Sequence, residues 1–225
     1  MLRVGLVVVL VLLGGRPVLA DLRGSEERID RYLTLYYKNQ RDPKVVTELG
    51  ANYAVKYADT GTDQDMNLAK KYLNEAAKLD PNGAAALAWL GLVQCLEARN
   101  GVSLEAAQRG LDRLDWALNR EPDNLDLRVL RATVGLEAPR EFNRIDQAIA
   151  DLEYVGKRLR ENPALSRQVE IDPSEVHHKL GLGFRAKGDI VKARQAWEAA
   201  VKSGPETLDG KKAAKLLKKH PAPRE

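Results

Sequence analysis

The sequence predicts an all-α protein built as an α-solenoid, a row of about four helix-turn-helix units with a flanking helix at each end. Aromatic residues make up only 5% of the 225 residues, and the abundant residues (Ala, Leu, Lys, Glu and Arg) all favour helix. Apolar residues recur at intervals of three and four, which places them on one face of a helix. A pattern of small and apolar residues ending in proline returns along the chain at a roughly constant interval, as is typical of a repeat architecture.

The last third of the chain contains the clearest unit. Gly181 and Ala193 are small residues at the positions where two antiparallel helices would touch. Gly188-Asp189 is predicted to form the turn between these helices, and Pro205 is predicted to stop the second helix because proline cannot continue one. The apolar stripes of the two helices consist of Leu180, Phe184, Trp197 and Ala200.

Three earlier segments repeat this pattern. The matching residues are Leu49-Gly50, Tyr53, Ala69, Leu73, Ala76 and Pro81 in the first unit, Leu90-Gly91, Gly110, Leu114, Ala117 and Pro122 in the second, and, in a degenerate form, Ala132, Ala148, Leu152 and Val155 in the third. These residues and their spacing resemble the tetratricopeptide repeat (TPR) family over nearly all of the chain after its first segment. The resemblance implies a TPR-type solenoid with units at about 43–83, 84–124, 125–172 and 173–207.

Two of the predicted turns are unusually long. Between the helices of the first and second units, the sequence has seven residues more than the last unit has. We expect these residues to form loops at about 58–68 and 98–104, which would project from the same edge of the solenoid. The third unit has a lengthened turn near Pro139 and a long exit segment at 161–172. The loops are either tolerated insertions or an edge that contacts a partner.

Both ends of the repeat region carry a predicted flanking helix. At the N-terminal end, within 21–42, Ser25 can cap a helix that runs to about Asn39. At the C-terminal end, 208–225 contains a short helix and a basic tail. This helix either caps the solenoid, with its basic face in solvent, or rests on an anionic membrane surface or an acidic partner. Its basic residues are Lys211, Lys212, Lys215, Lys218 and Lys219.

The first twenty residues have the layout of a secretory signal peptide. Arg3 supplies the positive start, 4–15 is an unbroken run of apolar residues and glycine, and the segment closes with Val18-Leu19-Ala20. As a helix the apolar run would span about 18 Å, well short of the roughly 30 Å of a bilayer core. We therefore expect cleavage near Ala20 and export to the periplasm or the exterior, with an uncleaved anchor as the alternative.

No catalytic or metal-binding motif is present in the sequence. Cys95 is the single cysteine, so an intramolecular disulfide and a cysteine-rich metal site are excluded. The sequence has no HExxH motif, no phosphate-binding glycine loop and no Gly-x-Ser-x-Gly elbow. We therefore predict a protein that is not an enzyme and that has no cofactor, metal or small-molecule substrate.

The distribution of charge argues against a nucleic-acid partner. The formal net charge is +4, from 36 basic and 32 acidic residues. Without Arg3 and Arg16 of the signal segment it falls to +2, and the stretch 209–225, with six basic residues and two acids, holds +4 of charge by itself. The body of the protein is therefore near −2, a sign that does not attract a phosphate backbone.

The TPR resemblance implies a protein-binding groove lined by the first helix of each unit. Carried over by position, the groove residues are Lys44, Thr47, Ala51 and Ala54 in the first unit, Ala88, Leu92 and Cys95 in the second, Asp126, Val129, Thr133 and Leu136 in the third, and Glu175, His178, Leu182 and Arg185 in the fourth. The implied function is that of an exported scaffold or adaptor of an envelope or periplasmic complex that binds a protein or peptide segment. The alternatives are a peripheral membrane module, self-association, and a groove filled by the protein's own N-terminal helix.

Overall fold

The computed structural model describes residues 22–221 except 102 and 170, and it gives no side-chain placement for 22–25, 99 and 100. The predicted signal segment and residues 222–225 lie outside the described residues. The helices are α1 Leu22–Lys38, α2 Pro43–Thr60, α3 Asp63–Leu79, α4 Ala84–Gly101, α5 Leu104–Arg120, α6 Leu125–Glu137, α7 Ile145–Glu161, α8 Leu165–Gln168, α9 Pro173–Ala186, α10 Ile190–Ser203 and α11 Leu208–Lys219, with a 3₁₀ turn at Arg140–Phe142. This part of the chain contains no strand. None of its helices combines the length and the apolar character needed to cross a bilayer.

The helices pair in chain order into four antiparallel hairpins: α2 with α3, α4 with α5, α6 with α7, and α9 with α10. Each first helix also contacts the first helix of the next hairpin, whereas the second helices that the structure describes make no comparable contact with one another. The first helices therefore form a crowded inner row and the second helices an outer row. The predicted all-α, TPR-type solenoid of about four units is confirmed.

The two flanking helices each add half a unit. Helix α1 packs on α2, as an outer helix packs on the inner helix that follows it. Helix α11 contacts α9 and α10 and so continues the inner row. The apolar faces of the first and last hairpins are thereby covered, as the ends of a solenoid require. Helix α1 begins at Leu22, so Ser25 lies inside the helix and its predicted role as the N-terminal cap is wrong.

Small residues let the two helices of a hairpin touch. A Cβ atom at Gly91 would lie 2.6 Å from the carbonyl oxygen of Gly110, and one at Gly110 would lie 2.5 Å from the sulfur of Cys95. A Cβ atom at Gly181 would collide with the indole of Trp197, which is completely buried. The glycines at the predicted contact positions are therefore required by packing.

The predicted long loops at 58–68 and 98–104 are wrong, because the additional residues lengthen the helices. The turn of the first hairpin is only Gly61-Thr62, with Gly61 left-handed at a φ of 67° and the Thr62 hydroxyl accepting from the Asp65 amide. Helices α2 and α3 have 18 and 17 residues, against 14 each for α9 and α10. Helix α2 is thus four residues longer than α9 and α3 is three residues longer than α10, while the turn between them is one residue shorter than the turn at 187–189, so the additional residues lie in the helices. Helices α4 and α5 have the same lengths as α2 and α3.

The buried core has two main parts that meet at α6. One part extends from α1 to α6 and includes Leu127, Leu130 and Val134. The other part extends from α6 to α10 and includes Leu125 and Ala132 on other sides of the same helix. Helix α6 therefore joins the first half of the solenoid to the second.

Candidate interaction surface

Seven of the predicted groove residues are buried between helices. Each of them lies on the first helix of a hairpin, in the inner row. A side chain without accessible surface offers a partner nothing to contact, so the structure assigns these residues to packing and corrects their placement in an open groove. They are Thr47, Ala51, Ala54, Ala88, Leu92, Thr133 and His178.

Cys95 also faces away from the predicted groove. Its sulfur lies 3.6 Å from the carbonyl oxygen of Ala107 on α5, because Cys95 is one helical turn beyond Gly91 and shares its hairpin-facing side. Burial raises the pKa of the Cys95 thiol to about 12, although the positive charge of Arg144 acts in the opposite direction. The side chain behaves as a small, partly buried hydrophobe with little thiolate character.

The remaining predicted groove residues keep part of their surface in solvent. Lys44 and Asp126 are exposed, and the other five are partly exposed. The apolar members of this set lie on α6 and α9, and the charged members lie on α2, α6 and α9. We call the set the inner surface; it consists of Lys44, Asp126, Val129, Leu136, Glu175, Leu182 and Arg185.

His178 holds the last inner helix in place. Its Nδ1 lies 2.6 Å from a carboxylate oxygen of Asp209 on α11. Burial by itself raises the pKa of Asp209, but the hydrogen bond and charge of His178, together with Lys212 and Lys179, outweigh it and leave the pKa below its ordinary value. A second link between the same elements joins the hydroxyl groups of Ser174 and Thr207, 2.7 Å apart.

The neighbouring pair Lys179 and Glu175 fixes one end of the inner surface. The ammonium group of Lys179 donates to the Glu175 carboxylate one turn earlier, and the Lys179 side chain is only 1% exposed. Because a buried ammonium group needs a partner, Glu175 is committed to Lys179. Its carboxylate is therefore less available to a partner than sequence position alone suggests.

A buried cluster of charges joins the second hairpin to the third, and sequence reasoning missed it. Asp151 accepts from Arg128 Nη1 at 2.8 Å, and from Arg131 Nε at 2.8 Å and Nη2 at 2.9 Å. Asp115 on α5 accepts from Arg131 at 2.9 Å and from Arg144 at 2.5 Å. Burial by itself lowers the pKa of Arg131, but the bonds to Asp151 and Asp115 outweigh it and leave that pKa raised.

A sequence signal for this cluster does exist. Arg131 stands at the position where the other three units have Leu49, Leu90 and Leu180. An arginine in place of a packed leucine requires an acid nearby, and Asp151 supplies it from the facing helix.

The basic face of α11 points into solvent, and its apolar face packs on the solenoid. Lys211, Lys215, Lys218 and Lys219 are exposed and Lys212 is partly exposed. Ala213, Leu216 and Leu217 pack in the cluster around Trp197. The apolar side chains that a surface-bound helix would insert into a membrane therefore pack against the solenoid, and the helix covers the end of the last hairpin.

The geometry defines the class of protein: a TPR-like α-solenoid with an inner and an outer row of helices. Among the described residues, no group of three or more His, Cys, Asp and Glu side chains is arranged to hold a metal ion.

No family model matches the sequence, and no curated protein matches it. Among solved structures, the chain is similar to YrrB, described as a TPR protein with an unusual peptide-binding site. The similarity covers 87% of this chain and 86% of that one, with 17% sequence identity and a TM-score of 0.48. The fold given above is defined by this chain's own helices and contacts.

Proposed function

We propose that this protein is an exported scaffold or adaptor that binds a segment of a partner protein on its inner surface. Export would follow from the segment 1–20, with cleavage near Ala20 placing the mature chain in the periplasm or outside the cell. The proposal treats the protein as a binding module and assigns it no reaction.

The observation that carries the proposal is the composition of the inner surface. Val129, Leu136 and Leu182 are apolar yet keep part of their surface in solvent, and Lys44 and Arg185 lie towards its two ends. Partly exposed apolar side chains between charged ones suit an amphipathic helix or an extended segment of a partner, which would be anchored by its own apolar residues.

The protein's own N-terminal helix does not occupy this position. The hydroxyl of Tyr36 on α1 donates to the Glu75 carboxylate at 3.1 Å, and its ring contacts Tyr72, so α1 packs beside α2 and α3. The apolar part of the inner surface lies on α6 and α9, two hairpins away.

The proposal can be tested by affinity capture from the native cell envelope after mild crosslinking, with the tagged full-length protein. The variant Lys44→Glu/Arg185→Glu reverses a charge towards each end of the inner surface. Its matched control is Arg113→Glu/Lys157→Glu, which makes the same change in charge at exposed positions of the outer row.

We expect a specific protein to be retained by the wild type and the control and to be lost with the inner-surface variant. Thermal unfolding of each variant checks that the fold is intact. Equal retention by all three proteins would show that the inner surface is not the binding site. Fractionation of the native cells tests export separately, and recovery of the uncleaved chain in the cytoplasm would contradict it.

A further inference from the structure

A cleft of about 360 Å³ lies on a different part of the molecule from the inner surface. It is formed where the ends of two outer helices, α7 and α10, meet the start of α9. Its walls are largely apolar, and two basic side chains stand at its edge. The residues that matter for its chemistry are Gly156, Leu159, Arg160, Pro173, Val176 and His177.

The cleft exists because α7 has a glycine where the other outer helices have a side chain. The residue that follows the repeated small position is Ala77 in the first unit, Leu118 in the second and Val201 in the fourth, but Gly156 in the third. A Cβ atom at Gly156 would lie 3.4 Å from Arg160 Nη1 and 3.7 Å from Val176 Cγ1, which are ordinary contact distances. Packing therefore does not require this glycine, and glycine inside a helix is unfavourable.

The charge at the cleft is not balanced. Arg160 is exposed and folds back along α7 towards Gly156. Its guanidinium group pairs with no acid within the described parts of the chain, and the adjacent Glu161 pairs with Lys157 instead. His177 stands across the cleft on α9, where burial and, to a smaller extent, the charge of Arg160 lower its pKa. The remaining polar side chain, Ser203, is used elsewhere, since its hydroxyl donates to the carbonyl oxygen of Ala199.

We propose that this cleft binds a carboxylate carried on a short apolar body, with the carboxylate on Arg160 and the apolar part against Leu159 and Val176. The planar guanidinium group matches a carboxylate in a two-bond geometry. A phosphate would leave oxygen atoms facing the apolar walls without partners. The volume is at the small end of ligand sites in proteins, so the ligand is of the size of an amino acid or slightly larger.

Such a ligand could be a free organic acid or the C-terminal residue of a polypeptide. The test uses 4-methylpentanoate as the free acid and N-acetyl-leucine as the C-terminal residue, each beside its neutral amide. Binding to the purified protein is followed by ¹H–¹⁵N chemical-shift titration up to about 20 mM ligand, because a site of this size can be weak. Tighter binding of 4-methylpentanoate would indicate a free organic acid as the ligand, and tighter binding of N-acetyl-leucine would indicate the C-terminal residue of a polypeptide.

Three variants accompany the titration. Arg160→Gln removes the charge and is expected to weaken binding about tenfold or more. Lys157→Gln is the matched control, because it removes the same charge from an exposed position of the same helix and should leave binding unchanged. Gly156→Leu restores the side chain present in the second unit and should abolish binding, while Gly156→Ala, which fits without a clash, should weaken it in a fully folded protein.

The proposal is overturned if acid and amide bind equally, if the Arg160 and Lys157 variants behave alike, or if neither acid gives a saturable shift. It adds a second site to the protein-binding role proposed above but rests on its own residues. Failure of the inner-surface experiment would leave the titration result unaffected.

Discussion

Asp151 is the residue whose removal should destabilise this fold most clearly without creating a large cavity. Its side chain is 2% exposed, and it accepts three hydrogen bonds from two arginines. Replacement by alanine would leave both guanidinium groups in the interface between α6 and α7 without their acid. We expect Asp151→Ala to lower the free energy of unfolding by about 3 kcal/mol.

The size of this expected loss follows from the hydrogen bonds that each arginine retains in the variant. Removing one partner of a buried ion pair typically lowers the free energy of unfolding by about 3–5 kcal/mol. Arg131 retains its bond to Asp115 at 2.9 Å, and Arg128 retains its bonds to the carbonyl oxygen of Pro122. Because neither cation is left entirely alone, the lower end of that range applies.

The assay is urea unfolding followed by far-ultraviolet circular dichroism. Glu105→Ala is the control, since Glu105 is 85% exposed and pairs with Arg109 one turn away on the same helix. Such a surface pair contributes about 0.5 kcal/mol or less. Asp151→Asn keeps the shape and part of the hydrogen bonding, so its loss should be intermediate. A loss below about 1 kcal/mol for Asp151→Ala would refute the reasoning, because it would mean that solvent reaches the arginines and replaces the acid.

Two further predictions concern single titratable groups. With the thiol pKa raised to about 12, Cys95 should react with a thiol reagent near pH 8 about three orders of magnitude more slowly in the folded protein than in denaturant, and equal rates would contradict its burial. The lowered pKa of Asp209 means that its contribution to stability is present above the ordinary value of about 4 and is lost as the pH falls through the folded value. Acid unfolding of Asp209→Asn should therefore show a smaller loss of stability below pH 4 or so than the wild type shows, and superimposable acid curves would contradict the coupling to His178.

The hairpins could be predicted from sequence because their signals are local. Gly188-Asp189 forms the predicted turn, with Gly188 left-handed at a φ of 82° and Asp189 capping α10. The same reasoning failed at 58–68, where a polar stretch suggested a loop. Thr62 caps a new helix there, with Asp63 and Asp65 in its first turn, so the polar residues mark a helix start and not an absence of structure.

The accessible part of the groove could not be predicted, because exposure depends on the distance between helices. The TPR resemblance implied that Ala51, Ala54 and Ala88 line the groove. In the structure, small side chains allow neighbouring helices to approach closely, and this approach buries the residues themselves. The charge cluster depends in the same way on how the helices pack: Arg131 in a leucine position signals that an acid is needed, but no local pattern specifies that Asp151 and Asp115 supply it.

The equal lengthening of the first two hairpins limits how such a chain can change in length. From the start of α2 at Pro43 to the start of α4 at Ala84 the chain advances 41 positions, which is a common 34-residue unit plus seven. Each residue turns a helix by about 100°, so three or four residues on each arm complete one revolution and return the apolar stripes to face each other. Two residues on each arm would rotate the tip by about 200° and turn its apolar side chains towards water. Insertions and deletions that preserve the packing of these hairpins therefore add or remove about seven residues, one turn in each helix. A hairpin can become longer or shorter by whole turns while its neighbours remain in place.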